Sequence, residues 1–186
     1  MIYYEYSMAS SKDSTENFTV TEVEDISQIT SSIYLSGFRG ASNLDELKKR
    51  NIKYIVNCTK SVSNYFEKKD CGCGLSNKLT LPNDDIQYLR VSIDDMVNEN
   101  ISNYFDSTYE FIEKSVRENK GILVHCHAGI SRSSTILIAY FMRKNKWTYN
   151  ESYDFVKSKR SIIDPNIGFK KSLLEFEKKI FSSTTI

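Results

Sequence analysis

The sequence predicts an α/β domain with a mostly parallel sheet covered by helices, and three observations carry that prediction. Gly121–Val124 is a short apolar run that reads as a buried strand, and Arg132–Lys144 after it reads as a helix. Ile86–Ile93 alternates apolar with polar residues, as a half-buried strand does, and a helical stretch follows it too. Strands that alternate with helices pair in parallel and are covered on both faces. With 186 residues, 40% of them hydrophobic, the chain is long enough for one sizeable core and too short for two ordinary domains.

Taken in order, residues 1–24 mix Ser, Thr, Asn, Asp and Glu with a few aromatics, lack a clear period, and read as a polar, flexible tail. Asn43–Arg50 reads as a short helix with Leu44 and Leu47 on one face. Residues 60–85 hold Gly72, Gly74, Pro82 and many polar side chains, and exceed the usual connection length in a compact domain. After the strand Ile86–Ile93, Asn100 or Ser102 is placed to cap a helix whose Tyr104, Phe105, Thr108, Phe111, Ile112 and Val116 share a face. Thr148 and Glu151 form a capping-box pattern for a helix through Lys159, and Asn166 opens a final amphipathic helix ending near Phe181.

The chemistry concentrates between the strand at 121–124 and the helix at 132. Both histidines of the chain, His125 and His127, flank Cys126, and Arg132 follows six residues after the cysteine. Backbone N–H groups in a turn entering a helix lack intrahelical partners, and together with the helix dipole they favour an anion. Residues 127–132 (His127, Ala128, Gly129, Ile130, Ser131, Arg132) are therefore the expected phosphate-binding loop. The same potential favours a thiolate, the form of Cys126 that attacks. Gly129 lets the loop curl, and Arg132 offers a planar fork to two phosphate oxygens. Ser133 places a hydroxyl near the sulfur, able to stabilise the thiolate as it leaves a phosphocysteine. Taken singly, a Cys at a strand end is more often core and an Arg at a helix start more often solvated. Joined in this spacing and context they point to function.

The run His125-Cys126-His127-Ala128-Gly129-Ile130-Ser131-Arg132-Ser133 resembles the HCxAGxSRS signature of the dual-specificity subgroup of cysteine-dependent protein phosphatases. Ser32–Gly37 is similar to the opening strand of that family and Ile52–Thr59 to its next. Tyr140 and the Pro165-Asn166 pair stand where the family places similar residues, Asn166 in a supporting role. The resemblance covers about Ile26 to Phe181. It implies the cysteine-phosphatase fold, a single domain over 25–186 with about five strands, and an insertion around 60–85, where the family's connection is often shorter.

A phosphatase also needs a proton donor for the leaving oxygen, and the candidates are Asp84, Asp85, Asp94 and Asp95. Asp84 and Asp85 precede their strand, at the wrong end of a parallel sheet whose ligands bind beyond the C-terminal strand ends. The resemblance selects Asp95 over Asp94, because the family's acid precedes a short loop and a helix opening with a pair like Tyr104-Phe105. Turn and cap chemistry is the plain alternative for both. His125 is expected to orient the loop and tune the thiolate rather than transfer protons, and the side chain of His127 to sit solvated on the rim.

Substrate class follows from the loop interior. Phosphoinositide-directed relatives tend to carry lysines there, whereas this chain has Ala128, Gly129 and Ile130. A phosphorylated protein bearing phosphotyrosine, phosphoserine or phosphothreonine is the expected substrate. The alternatives are a non-catalytic phosphate-binding module and a cysteine phosphatase acting on a non-protein phosphate ester.

A net charge of +1 argues against a dedicated nucleic-acid surface or a polybasic membrane anchor, and no apolar stretch approaches spanning length. With neither a signal peptide nor a Met-Gly start, the expectation is a cytoplasmic protein, the nucleus also being compatible, without stable membrane association. No sequence feature sets an oligomeric state. The four cysteines at 58, 71, 73 and 126 do not make a disulfide framework. Cys71 and Cys73 are too few for a zinc site, so neither metal nor cofactor is expected. Cys58 ends a strand that should run parallel to the one before Cys126, and some superfamily members have a second cysteine at the matching position. Cys58 is thus a candidate redox partner of Cys126.

Overall fold

Two strands near the N-terminus, β1 (Tyr4–Ser7) and β2 (Thr19–Glu22), pair antiparallel as a ribbon of their own in the computed structural model, which describes residues 4–7, 19–22, 25–67 and 86–182. The rest of the segment read as a tail lies outside the described residues, as do 68–85 with Cys71, Cys73, Asp84 and Asp85.

The main sheet is built from β3 (Ile26–Gln28), β4 (Ile33–Ser36), β5 (Ile52–Asn57), β6 (Gln87–Arg90) and β7 (Gly121–His125), in the order β3-β4-β7-β5-β6. Only the edge strand β3 runs antiparallel to its neighbour. β7 occupies the middle, where its apolar run Gly121–Val124 is covered on both faces, and all five of its residues, His125 included, are buried. A register shift in β5 between Ile52 and Tyr54 explains an irregular pattern: Ile52 and Ile55 face one side of the sheet, and Tyr54 and Val56 the other.

Two short helices, α1 (Phe38–Ser42) and α2 (Leu44–Lys49), lie on one face over Ile26, Tyr34, Ile55 and Leu123. Asn43 caps α2 by accepting the Glu46 N–H. The other face carries α3 (Phe105–Arg117), α4 (Arg132–Asn145), α5 (Tyr149–Lys159) and α6 (Ile167–Ser182). Helix α4 is the central one, buried continuously from Ser133 to Met142 and packed against α5 and α6 as well as β7. Thr148 and Glu151 close the expected capping box on α5, and Asn166 Oδ1 accepts the Phe169 N–H at 3.0 Å where α6 begins.

Two local expectations change. The alternating strand is shorter than 86–93, ending at Arg90. Neither Asn100 nor Ser102 caps α3: a 3-10 turn, Ile101–Tyr104, intervenes, and the Ser102 hydroxyl donates to Asn100 Oδ1 instead. Residues 60–67, the described part of the long connection, are tied to the sheet. Asn57 and Arg90 bind the carbonyls of Thr59 and Val62 and the side chain of Asn64, which fastens this stretch to the ends of β5 and β6.

Candidate active site

The parallel strands deliver the reactive residues to one edge. β7 ends at His125, so Cys126 is the first residue beyond the central strand and α4 begins at Arg132, leaving five residues to turn between them. Gly129 has φ +71°, and a Cβ there would lie 2.6 Å from the Ser36 carbonyl at the end of β4, so only glycine fits.

Cys126 is 1% exposed at the base of this loop. Its sulfur accepts the backbone N–H of Gly129 at 3.2 Å and the hydroxyl of Ser133, also at 3.2 Å, from the first turn of α4. Two donors aimed at one sulfur suit a thiolate better than a thiol. Ser131 occupies the N-cap position of α4 but leaves the helix N-terminus uncapped by its side chain. Its hydroxyl donates to Asp95 Oδ1 at 2.6 Å instead, and its oxygen accepts the Asn166 N–H at 3.1 Å.

Carbonyls around the loop are held outward. That of His127 accepts from Phe38 N at 3.0 Å, that of Ile130 from Asp164 N at 3.1 Å, and those of Ala128 and Gly129 from the Arg160 side chain. A trans peptide whose C=O points out turns its N–H inward, so the loop presents its donors to the space above Cys126.

The Arg132 guanidinium lies at the border of the loop, beside Asp95. Its Nε is buried and has no hydrogen-bond partner among the described residues; it stands 3.7 Å from Asp95 Oδ2, while Nη1 reaches the Ile93 carbonyl at 3.4 Å. A buried donor without an acceptor is costly unless the site exists to bind one.

The two aspartates at 94 and 95 separate clearly. Asp95 is gathered over the loop by Ser131, by the Asn166 side chain at 2.8 Å, and by Arg132. Asp94 turns away to Lys60, whose Nζ lies 2.7 Å from Asp94 Oδ2 and 2.8 Å from Glu99 Oε1. Geometry thus puts Asp95 beside the loop and Asp94 outside it.

His125 is 1% exposed, and burial pushes its pKa down to about 4, so the ring is neutral at pH 7. Its Nδ1 lies 3.2 Å from the Cys126 carbonyl; a carbonyl only accepts, so Nδ1 carries the ring proton. His127 is exposed and rests against Phe38 with ring centroids 5.1 Å apart, as a rim residue. Cys58 is fully buried at the end of β5, its N–H donating to the His125 carbonyl at 2.8 Å, and burial followed by the nearby Cys126 pushes its thiol well up.

Sequence reasoning missed Arg160 and Ser27, which lie behind the loop. Arg160 is only 5% exposed. Nothing marks it among 25 basic residues, and its partners come from strands and loops far away in sequence.

The fold and this loop define a class: the chain belongs to the dual specificity phosphatase catalytic domain family, whose model matches residues 33–179. It is 39% identical to human dual specificity protein phosphatase 9 over 153 residues, which is 82% of this chain and 36% of that protein. To human dual specificity protein phosphatase 14 it is 34% identical over 165 residues, 89% of this chain and 75% of that one. Among solved structures it is similar to a human tyrosine phosphatase-like serine/threonine/tyrosine-interacting protein, with a TM-score of 0.70, 31% identity, and coverage of 84% of this chain and 97% of that one. The chain therefore spans about a third of the length of phosphatase 9 and most of the length of phosphatase 14.

Proposed function

We propose that this protein hydrolyses phosphate monoesters on phosphotyrosine and on phosphoserine or phosphothreonine of protein substrates, through a phosphocysteine intermediate. The observation that carries the reading is that one loop holds the Cys126 sulfur with its two donors and, through Ser131 and Arg132, the Asp95 carboxyl, while Arg132 Nε has no hydrogen-bond partner among the described residues.

In the first step the Cys126 thiolate attacks phosphorus in line with the ester oxygen. An S–P bond forms and the P–O bond to the substrate breaks, while Asp95 gives its proton to the departing oxygen. Arg132 and the inward N–H groups of 127–132 hold the three non-bridging oxygens through the change in charge. In the second step water attacks the phosphocysteine and gives its proton to Asp95. The S–P bond breaks, inorganic phosphate leaves, and the Ser133 hydroxyl stabilises the returning thiolate. Asn166 and Ser131 orient Asp95, and neutral His125 fixes the peptide that carries Cys126. The cycle returns every group to its starting state without an electron or a metal being required.

Ala128, Gly129 and Ile130 add no cation to the loop, which supports a substrate with a single phosphate rather than a polyphosphorylated headgroup. A nucleophilic thiolate and a free thiol at Cys58 support a reducing compartment, the cytoplasm or nucleus. Among the described residues no helix is long and apolar enough to cross a membrane.

Initial rates on matched phosphotyrosine, phosphothreonine and phosphoserine peptides and on a phosphoinositide test the reading. Phosphotyrosine should be turned over fastest, since a phenolate leaves more readily than an alkoxide, with measurable activity on the others. Preference for the phosphoinositide over every peptide would overturn the protein-substrate assignment. Binding of phosphate without turnover would favour a non-catalytic module.

A further inference from the structure

Arg160 lies beyond the end of α5, behind the loop, and its one rigid fork reaches two successive loop carbonyls and the Ser27 hydroxyl. Nε donates to the Gly129 carbonyl at 3.0 Å, Nη2 to the Ala128 carbonyl at 3.3 Å, and Nη1 to the Ser27 hydroxyl of β3 at 3.0 Å. Burying a guanidinium is costly, and its hydrogen bonds to the loop help offset that cost while the carbonyls stay where they are. We propose that Arg160 is the positioning residue of the phosphate loop: by clamping the Ala128 and Gly129 carbonyls outward, it turns the Gly129 and Ile130 N–H groups toward the sulfur and the substrate phosphate.

The inference rests on the phosphatase reading of the site but concerns a residue outside the catalytic machinery. Its physical core is the trans peptide. Carbonyl and following N–H are antiparallel across one planar unit, so fixing the Ala128 oxygen fixes the Gly129 N–H on the other side. That N–H is the one 3.2 Å from the Cys126 sulfur. Fixing the Gly129 oxygen orients the Ile130 N–H in the same sense. Gly129 has the least steric restraint of any residue in the loop, with φ +71°, and would otherwise be the easiest peptide to flip. The other outward carbonyls are held by backbone or short side chains: Phe38 N takes His127, and Asp164 N and Ser134 take Ile130. The middle two depend on Arg160, and its positive charge also sits behind the nucleophile. Lysine cannot replace it, because a single ammonium lacks the planar fork that reaches two successive carbonyls and Ser27 at once.

The test uses the full chain with Arg160→Lys, Arg160→Met and Ser27→Ala. The readouts are tungstate affinity by calorimetry, the pH dependence of Cys126 alkylation by iodoacetate, and melting temperature to establish that each variant is folded. Arg160→Lys should weaken tungstate binding by roughly tenfold to a hundredfold, the scale of losing charge-assisted hydrogen bonds. It should also move the onset of alkylation to higher pH. Ser27→Ala, which removes only the outer tether, should shift both in the same direction by less. A brace that merely joined α5 to β3 would lower the melting temperature and leave tungstate affinity and the alkylation profile as in the parent. That result in folded Arg160→Lys and Ser27→Ala would overturn the proposal, whether or not Arg160→Met folds. Failure of the parent itself to bind tungstate would instead overturn the reading of the site as a phosphate site.

Discussion

Asp94 and Asp95 are neighbours in the chain, yet their carboxyls meet entirely different partners. The carboxyl of Asp95 meets Ser131, Asn166 and Arg132, all of the loop or its border, while Asp94 is spent on Lys60. Asp95→Ala should lower kcat by roughly 10²–10⁴ on substrates with poor leaving groups and much less on p-nitrophenyl phosphate, whose leaving group needs little protonation. Asp94→Ala should stay within a few-fold of the parent, and steady-state rates on both substrate types check the pair. A large defect in Asp94→Ala with a small one in Asp95→Ala would reverse the assignment. The second cysteine yields a different residue-scale expectation. Asn57 pairs with His125 across parallel strands, and Cys58 and Cys126 are the next residues along each chain. Adjacent parallel strands lie about 4.8 Å apart, within the roughly 7 Å Cα separation a disulfide can span. Peroxide should oxidise the Cys126 thiolate to a sulfenic acid, and the Cys58 sulfur should then attack it, releasing water and forming a disulfide. Because burial holds Cys58 as the thiol, the need to deprotonate it should slow the second step. Activity recovered by dithiothreitol after a peroxide pulse should be markedly lower in Cys58→Ser than in the parent, and equal recovery would remove Cys58 from any redox role.

At the scale of elements, the site is a strand, a turn and a helix whose joint tolerates little change. Gly129→Ala puts a Cβ within 2.6 Å of the Ser36 carbonyl and 2.8 Å of Gly37 N, backbone atoms that cannot swing aside. The variant should lose about 1–3 kcal/mol in urea unfolding from strain and nearly all turnover, because relief requires the loop to open. Near-parental activity would show the loop to be softer than its packing implies. This strand–turn–helix unit was legible in the sequence because its signals are local: four apolar residues, a glycine, and a helical period starting at Arg132. The Thr148–Glu151 cap and the Asn166 start of α6 were legible for the same reason. What escaped was decided by distant partners. β3 is three residues long and owes its strand state to pairing with β4, and α1 is a five-residue turn held over the sheet by packing. Capping by Asn100 or Ser102 failed because the chain needed a 3-10 turn to bring Ile101 into the core. Arg160 escaped most completely, since its role depends on carbonyls about thirty residues away.

For the whole molecule, burial of the catalytic edge links stability to pH. His125 is neutral in the folded protein because burial lowers its pKa to about 4, whereas in the unfolded chain it protonates near its ordinary 6.5. Between these values the unfolded chain binds more protons, so stability is full above about pH 6.5 and falls as the pH drops toward 4. The loss through this one group is about 3 kcal/mol, the free energy of a shift of that size. Urea unfolding at pH 7 and pH 4.5 should show it, and His125→Gln should flatten that part of the slope, whereas replacement of exposed His127 should not. An unchanged slope in His125→Gln would mean the ring is not buried neutral.

The central claim is that a phosphoryl group passes through the Cys126 sulfur, and acid-quenched peptide mass spectrometry during turnover of p-nitrophenyl phosphate tests it most directly. The parent should show the peptide spanning Cys126 carrying one phosphoryl group on sulfur, and Cys126→Ser should show neither that adduct nor turnover, while still binding tungstate. Substantial turnover by Cys126→Ser, or a parent that turns over while its phosphoryl group is found on another residue, would contradict the account.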